Sequence, residues 1–354
     1  MSADTLAAPE HPRLAGVPCR DKLEPPAVEH RVAGAVHRFA QPITFTPFAS
    51  ARPCSARCVF CSETLQHREA TVLSASLRPR PDYPTGLRRA LAALRGLPVG
   101  LSLSGLESTD DADWLLAVLA ALAEHSRVSP VDERVLYTNA AGLARPDSRA
   151  RLLPALAELP LTRAEVSRHH FDAALNNNIM RFRPGEAVRA GEAFAAAVRA
   201  TLEAVPVRLV CIIQRGGVAD LADALAYLQW ARDLGVRDVV LREFSRLHDL
   251  YRDNATARAI SGGRVAIEPL VLAALADPAF TPVELTRGYY YWNLRLRWRD
   301  VDVTLETSDY EVMKSRHRSD TIHKLVYHAN GNLCGDWDPG TRVLLRTHEA
   351  PRAA

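Results

Sequence analysis

Three of the six cysteines in this 354-residue chain lie close together, in the stretch PCSARCVFCSE at positions 53–63. Cys54, Cys58 and Cys61 have the spacing C-x3-C-x2-C, and Phe60 directly precedes the last of them. Thiolates are ligands of soft metal centres, so this compact spacing predicts a metal site. The other cysteines lie far from this loop and from one another, which fits a reducing compartment better than a disulfide framework.

Three thiols in one loop allow two kinds of metal site. An ordinary 4Fe-4S cluster takes four cysteines, so a loop that supplies three leaves one iron open to bind another molecule. An open coordination position is characteristic of a catalytic metal. The alternative is a structural zinc held by Cys54, Cys58, Cys61 and His67. The spacing favours the cluster, because structural zinc more often uses paired C-x2-C units.

Short strands alternate with amphipathic helices in the region that carries this loop. The strands are predicted from apolar or β-branched runs at 43–48, 98–104, 133–138, 163–168, 207–213 and 237–243. The helices, with apolar residues three and four apart, are predicted within 85–97, 111–125, 191–205 and 219–235. Strict alternation predicts a parallel sheet, either as a partial or complete barrel or as an open doubly wound sheet.

The cysteine loop follows the first predicted strand, at the end of the sheet where parallel α/β proteins place their chemistry. With Phe60 before its last cysteine, this loop resembles the signature of the radical S-adenosylmethionine superfamily. The resemblance covers about residues 40–245 and implies an α/β fold, a (βα)6 partial TIM barrel. It also implies a 4Fe-4S cluster on Cys54, Cys58 and Cys61, with Phe60 beside the adenine of S-adenosylmethionine.

The resemblance also implies the chemistry. In this family the amino and carboxylate groups of the methionine moiety bind the fourth iron. An electron from the cluster then breaks a carbon–sulfur bond to give a 5′-deoxyadenosyl radical, which takes a hydrogen atom from the substrate. The cofactors carry the reaction, while the protein positions and shields them.

A second family motif is expected after the second strand. SLSGLESTDD at 102–111 resembles the family's S-G-G-E-P, and Gly105 and Glu107 occupy the matching positions. By this resemblance they hold the methionine amino group. Leu106 replaces a glycine and Ser108 a proline. Since leucine adopts positive φ only at a cost in energy, a local difference in this loop is expected.

The next two strand ends carry further candidates. Asn139, in a TNAAGL stretch that resembles the family's T-N-G, is either a cofactor contact or a turn residue. By resemblance, Ser167 contacts the nucleoside and Arg181 the carboxylate of S-adenosylmethionine. His169 stands where the family commonly has an acidic residue. With His170 it is a candidate proton donor, substrate clamp or radical-site ligand, and the alternative is that one histidine packs while the other caps a helix.

The sixth strand ends in adjacent charges, Arg242 and Glu243. At the carboxyl edge of a parallel sheet, Arg242 is a candidate for substrate contact. An ion pair with a neighbouring strand is an equally good explanation.

Three regions are predicted along the chain. Residues 1–34 form an N-terminal extension, partly disordered or wrapped on the surface; 35–250 form the barrel; and 251–354 form a C-terminal helix and β-hairpin cap. The cap alternates at period two and has an Asn-Gly hairpin signal, and its aromatic residues are predicted to pack. Its only cysteine is Cys334, so one cluster is expected.

Composition limits the range of partners. The chain has 44 Lys and Arg against 41 Asp and Glu, mixed along the sequence, which gives no footprint for nucleic acid. No apolar run is long enough to span a membrane and no secretory signal is recognisable, so a cytoplasmic location is expected.

The sequence therefore predicts an enzyme that uses a 4Fe-4S cluster and S-adenosylmethionine to abstract hydrogen from a small polar metabolite in a biosynthetic pathway. Rearrangement, dehydrogenation, epimerisation and ring formation are the expected outcomes. One alternative is crosslinking or epimerisation of a short ribosomally made peptide, and another is a non-catalytic zinc-binding adaptor. The enzyme would need a one-electron donor such as flavodoxin or ferredoxin.

Overall fold

A computed structural model describes residues 11–48, 50–68, 70, 72–247 and 251–348 of the chain, which has a mixed α/β fold with a large, mostly parallel sheet. The strands are β1 Cys19–Lys22, β2 Ala27–Val32, β3 Ala35–Ala40, β4 Thr44–Phe48, β5 Val99–Leu103, β6 Val131–Thr138, β7 Arg163–Ser167, β8 Val207–Ile213, β9 Asp238–Glu243, β10 Phe280–Gly288, β11 Tyr291–Trp298, β12 Val301–Ser308, β13 Thr321–Ile322, β14 Leu325–His328, β15 Asn332–Cys334 and β16 Val343–Arg346. The α-helices are α1 Tyr83–Ala93, α2 Ala112–Ser126, α3 Ala141–Ala144, α4 Pro146–Glu158, α5 Ala173–Met180, α6 Gly191–Ala204, α7 Leu221–Leu234, α8 Ala255–Gly263, α9 Glu268–Ala276 and α10 Tyr310–His317.

The six strands predicted from the sequence are confirmed, as β4 to β9. They lie side by side in chain order, and each is parallel to the next. Helices connect them, and the four helices predicted from apolar spacing are confirmed as α1, α2, α6 and α7. This order brings all six carboxyl ends to one edge of the sheet.

Capping residues and apolar spacing explain the helix bounds. Asp111 caps α2 by accepting a hydrogen bond from the Trp114 backbone N–H at 3.1 Å, and Leu115, Leu119 and Leu122 are buried on one face. Burying each leucine side chain stabilises the fold by roughly 1.5–3 kcal/mol. Helix α7 ends at Gly235, whose φ of 100° is left-handed and favours glycine.

The C-terminal strands extend the main sheet at both edges. β12 pairs in parallel with β9, and β14 pairs in parallel with β4. An uncovered edge would leave a row of unpaired backbone groups, and these strands satisfy them. The predicted Asn-Gly hairpin is confirmed: it joins β14 to β15, and Gly331 has a φ of 85°.

The N-terminal region also contains strands. β1 pairs in parallel with β10 at the far edge of the main sheet, while β2 and β3 form a hairpin that pairs with β13. The expected division after residue 34 therefore falls at the turn of one hairpin. Residues 1–10, part of the predicted extension, lie outside the described residues.

The two tryptophans of the C-terminal strands pack inside the protein, as predicted, while Tyr289, Tyr290 and Tyr291 are partly exposed. Trp292 and Trp298 are buried, and the rings of Phe280 and Trp298 lie 6.5 Å apart. Within the described part of the chain, no helix has the length and apolar character that crossing a membrane requires.

Candidate active site

A cavity of about 310 Å³ lies at the carboxyl ends of β4 to β9. Each of the strands β6 to β9 contributes a lining residue near its carboxyl end, and these are Tyr137, Ser167, Ile212 and Arg242. The cysteine loop after β4 and the turn after β5 complete its wall. This volume is at the lower end of the range for small-molecule sites, so the cavity is sized for small ligands.

The three cysteines of the loop share one wall of this cavity. Cys54, Cys58 and Cys61 all line it, together with Phe60. The Phe60 ring packs edge-on against His169, with ring centroids 4.9 Å apart, and against Phe244 at 5.1 Å. The loop therefore presents three thiols and one aromatic ring to the same space.

Backbone hydrogen bonds fix the loop between the turn after β5 and the end of α5. The Ser55 N–H donates to Oδ2 of Asp110 at 2.6 Å. The Val59 N–H donates to the Ile179 carbonyl at 3.1 Å, and the Arg57 N–H donates to the Met180 carbonyl at 3.0 Å. A loop held at both ends keeps its three sulfurs in place before any metal binds.

Burial disfavours the ionised form of these thiols. It raises the pKa of Cys58 to about 12, and Cys61 adds to the effect. Burial, followed by the charge of Glu107, also raises the pKa of Cys54. Because thiolates are the metal-binding form, a cationic centre is the partner that would stabilise them here.

The donor set fits an iron–sulfur cluster better than a single zinc ion. Three thiols face one cavity, while His67, the predicted fourth zinc ligand, does not line it and packs against Tyr251 with ring centroids 5.9 Å apart. Among the described residues, no group of three or more His, Cys, Asp or Glu side chains is arranged to hold one metal ion. A cluster spreads its ligands over several irons, so its sulfurs do not converge on one point.

The turn after β5 adopts a left-handed backbone, even at Leu106, where leucine replaces the glycine of the family motif. Gly105 has a φ of 93° and Leu106 a φ of 53°. A Cβ at Gly105 would collide with the Phe48 ring, so glycine is required there for space as well as for conformation. Leucine thus accepts the strained conformation, at a cost of about 1–2 kcal/mol.

Four hydrogen bonds hold the Glu107 carboxylate at the cavity wall. Oε1 accepts from the Thr109 backbone N–H at 3.0 Å and from the hydroxyls of Thr109 and Thr138, each at 2.6 Å. Oε2 accepts from the Asn139 N–H at 2.5 Å. Burial raises the pKa of Glu107, and these donors act in the opposite direction. The two motif loops after β5 and β6 are therefore joined through this carboxylate.

Asn139 lies against the cysteine loop. Its Nδ2 donates to Ser55 Oγ at 3.2 Å and approaches Cys54 Sγ at 3.7 Å. Its Oδ1 accepts from the Ala141 N–H at 2.8 Å, so the residue also shapes its own turn. Both sequence interpretations of Asn139 are compatible with this geometry.

The end of β7 places Ser167 and His169 in the cavity lining. Nδ1 of His169 accepts a hydrogen bond from the Ile212 N–H at 3.1 Å, which puts the ring proton on Nε2. Burial, assisted by Arg168 and Arg242, lowers the pKa of His169 to about 3. The ring is therefore neutral at physiological pH and can donate only through Nε2.

Two predicted site residues lie outside this cavity. His170 is buried, and its Nδ1 accepts at 2.9 Å from the N–H of Asp172, the residue whose side chain caps α5. Arg181 is exposed and ends α5 in the left-handed conformation, with a φ of 50°. Neither lines the cavity that contains the cysteines.

Arg242 lines the cavity and also forms the predicted type of ion pair with a neighbouring strand. Its Nε donates to Glu306 of β12 at 2.5 Å. Its neighbour Glu243 pairs with Arg264 and accepts from the Thr307 hydroxyl at 2.5 Å. Both charges at the end of β9 are thus balanced by partners.

The sequence interpretation missed four titratable residues at this site. Glu63, Tyr137 and Tyr310 line the cavity, and Asp110 anchors the cysteine loop. Glu63 and Tyr137 lie next to predicted motifs and could have been found by adjacency. Tyr310 comes from the distant α10, and nothing in its local sequence indicates a site.

Comparison with known proteins gives likeness at the level of structure alone. No family model matches the chain, and a search of curated proteins finds no match for it. The chain is similar to SuiB of Streptococcus suis bound to S-adenosylmethionine, at 13% identity and a TM-score of 0.47, over 84% of this chain and 61% of SuiB. It is similar to anSMEcpe with bound AdoMet, at 12% identity and a TM-score of 0.43, over 59% of this chain and 52% of that one.

A third similar structure is TYW1 with a lysine-pyruvate adduct bound, at 14% identity and a TM-score of 0.38, over 70% of this chain and 75% of TYW1. The chain spans about three fifths of the length of SuiB and about half of that of anSMEcpe. The likeness to these three structures is one of fold alone.

Proposed function

We propose that this chain is a radical S-adenosylmethionine enzyme that takes a hydrogen atom from a small polar metabolite in a biosynthetic pathway. One observation carries the proposal. The three cysteines, the Gly105–Glu107 turn and Ser167 line a single cavity at the carboxyl ends of parallel strands. In this proposal the strands β4 to β9 form the (βα)6 partial barrel that the sequence predicted.

The residues present fit the two cofactors. Cys54, Cys58 and Cys61 would hold a 4Fe-4S cluster, since their thiols face the cavity from one anchored loop. Glu107 would receive the amino group of S-adenosylmethionine, because within the described residues Oε2 accepts from one donor whereas Oε1 accepts from three. Bound together, the cluster and S-adenosylmethionine would supply radical hydrogen-abstraction chemistry, given one electron from a donor such as flavodoxin or ferredoxin.

The chain's own residues position and shield this chemistry. Phe60, Leu65, Phe244 and Ile260 line the cavity with apolar groups, which exclude water from a reactive intermediate. His169 offers one N–H donor and no acidic proton at neutral pH, so its proposed role is a neutral hydrogen bond to substrate or nucleoside. Arg242 is the proposed substrate contact, with Glu306 fixing its orientation.

The test is anaerobic reconstitution with iron and sulfide, followed by reduction with dithionite in the presence of S-adenosylmethionine. We expect about four irons per chain and formation of 5′-deoxyadenosine. Cys58→Ala should abolish the product, because two thiolates do not retain the cluster. Cys19→Ala is the matched control, since Cys19 is an exposed thiol on β1, far from the cavity. Stoichiometric zinc, with no 5′-deoxyadenosine, would instead support the adaptor.

A further inference from the structure

Among the described residues, one carboxylate that lines the cavity has neither a hydrogen-bond donor nor a cation as partner. Glu107 is satisfied by four donors, Glu243 pairs with Arg264, and Glu306 pairs with Arg242. Glu63 lines the same cavity, and across the described residues no ion pair or side-chain hydrogen bond engages its carboxylate. A charge removed from bulk water is costly unless a partner is supplied, so this position favours a ligand of opposite charge.

The backbone holds Glu63 firmly in this position. It is the middle residue of a 3-10 turn, Ser62–Thr64, that directly follows the last cysteine. The Thr64 hydroxyl donates to the Cys61 carbonyl at 2.8 Å, and Nδ2 of Asn254 donates to the Thr64 carbonyl at 3.0 Å. The carboxylate therefore belongs to a turn anchored on both sides rather than to a loose surface loop.

The surroundings describe the remainder of the ligand. Leu65, Leu247 and Ile260 line the same cavity with apolar side chains, while Tyr310 interacts electrostatically with both Glu63 and Arg242. A ligand here meets a carboxylate, a phenol and aliphatic side chains. This combination suits a cationic nitrogen carried on a short apolar chain.

We propose that Glu63 selects a substrate that carries an ammonium or guanidinium group, and so determines the substrate class. The proposal rests on the proposed function in taking the cavity as the active site. Two molecules could supply the positive charge, the substrate and the sulfonium of S-adenosylmethionine. We assign Glu63 to the substrate, because Tyr310 interacts electrostatically with both Glu63 and Arg242, and Arg242 is the proposed substrate contact.

The test compares n-butylammonium with n-butanol, which differ in charge and share their chain. Binding is measured by saturation-transfer difference NMR, titrated anaerobically on the reconstituted protein with S-adenosylmethionine. We expect the wild type to bind n-butylammonium about fivefold more tightly than n-butanol, because a half-buried ion pair contributes about this much affinity. Glu63→Gln should remove this preference and Glu63→Asp should retain part of it. Glu158→Gln, at the exposed end of α4, is the matched control and should keep all of it.

Two results would overturn the assignment. The first is a wild type that shows no preference for the amine, including no detectable binding of it. The second is a Glu63→Gln variant that keeps the preference for the amine. The same conclusion follows if this variant loses more affinity for S-adenosylmethionine than for S-adenosylhomocysteine, which lacks the sulfonium charge. The dithionite assay is independent: an amine preference lost in Glu63→Gln, without any 5′-deoxyadenosine from the wild type, would preserve this site and refute the proposed function.

Discussion

Replacing Glu107 by glutamine tests whether an ionised carboxylate joins the motif loops after β5 and β6. If the amide oxygen takes the place of Oε1, the three donors from Thr109 and Thr138 keep an acceptor. The amide nitrogen then faces the Asn139 N–H, which loses its acceptor. An orphaned buried donor costs about 1–3 kcal/mol, and hydrogen bonds to a neutral oxygen are weaker than those to a charged one.

Removal of a buried charge offsets part of this loss. We therefore expect Glu107→Gln to lower the free energy of unfolding by about 2 kcal/mol, which is about a thirtyfold change in the unfolding equilibrium constant. The measurement is equilibrium urea denaturation followed by circular dichroism. The control is Glu124→Gln, which breaks an exposed ion pair with Arg88 and should cost under about 1 kcal/mol. A Glu107→Gln variant as stable as the wild type would show that the carboxylate is not held in its ionised form.

Three further predictions concern other parts of the structure. Asn139→Ala removes the N–H donor beside Cys54 Sγ, so the midpoint potential of the reconstituted cluster should fall by on the order of tens of millivolts. The potential is measured in a redox titration monitored by electron paramagnetic resonance. An unchanged potential would show that Asn139 does not influence the cluster. Burial lowers the pKa of Lys324 to about 7. Between pH 7 and about 10 Lys324 keeps its proton in the unfolded chain but has lost it in the folded one. The free energy of unfolding of the wild type relative to Lys324→Met should therefore rise with pH across this range. A difference in unfolding free energy that stays constant would refute the lowered pKa. Leu106→Gly should be about 1 kcal/mol more stable than Leu106→Ala in urea unfolding, since only glycine accepts a left-handed φ without strain. At Leu175, which is helical, alanine should instead be the more stable substitution. If alanine is the more stable substitution at both positions, Leu106 is not strained.

The central sheet was predictable because parallel strands are buried on both faces. A run such as that of β8, in which the consecutive residues Leu209, Val210 and Cys211 are all buried, gives a clear apolar signal. Strand order then follows from chain order and right-handed crossovers. Residues directly after such strands converge on one edge, which is why the cysteines, Glu107, Ser167 and Arg242 could be placed together from sequence.

The features that sequence could not supply depend on contacts between distant segments. Period-two alternation predicted β11 and β12 but not that β12 would pair with β9, because alternation defines the faces of a strand and not its neighbours. Arg181 was placed by its spacing after Ser167. That spacing does not determine the left-handed end of α5 or the exposure of Arg181.

Gly142 of the TNAAGL stretch lies two residues later than the glycine of the family's T-N-G, and it joins the loops after β5 and β6 into one structural unit. A Cβ at Gly142 would collide with the Thr109 carbonyl, so glycine is what lets α3 approach the turn after β5. At this distance the Gly142 N–H donates to the Thr109 hydroxyl at 3.1 Å, and that hydroxyl donates to Glu107. Gly142 does not line the cavity, yet it fixes the residue that orients the carboxylate at its wall. The displaced glycine therefore serves the contact between motifs rather than a contact with the ligand.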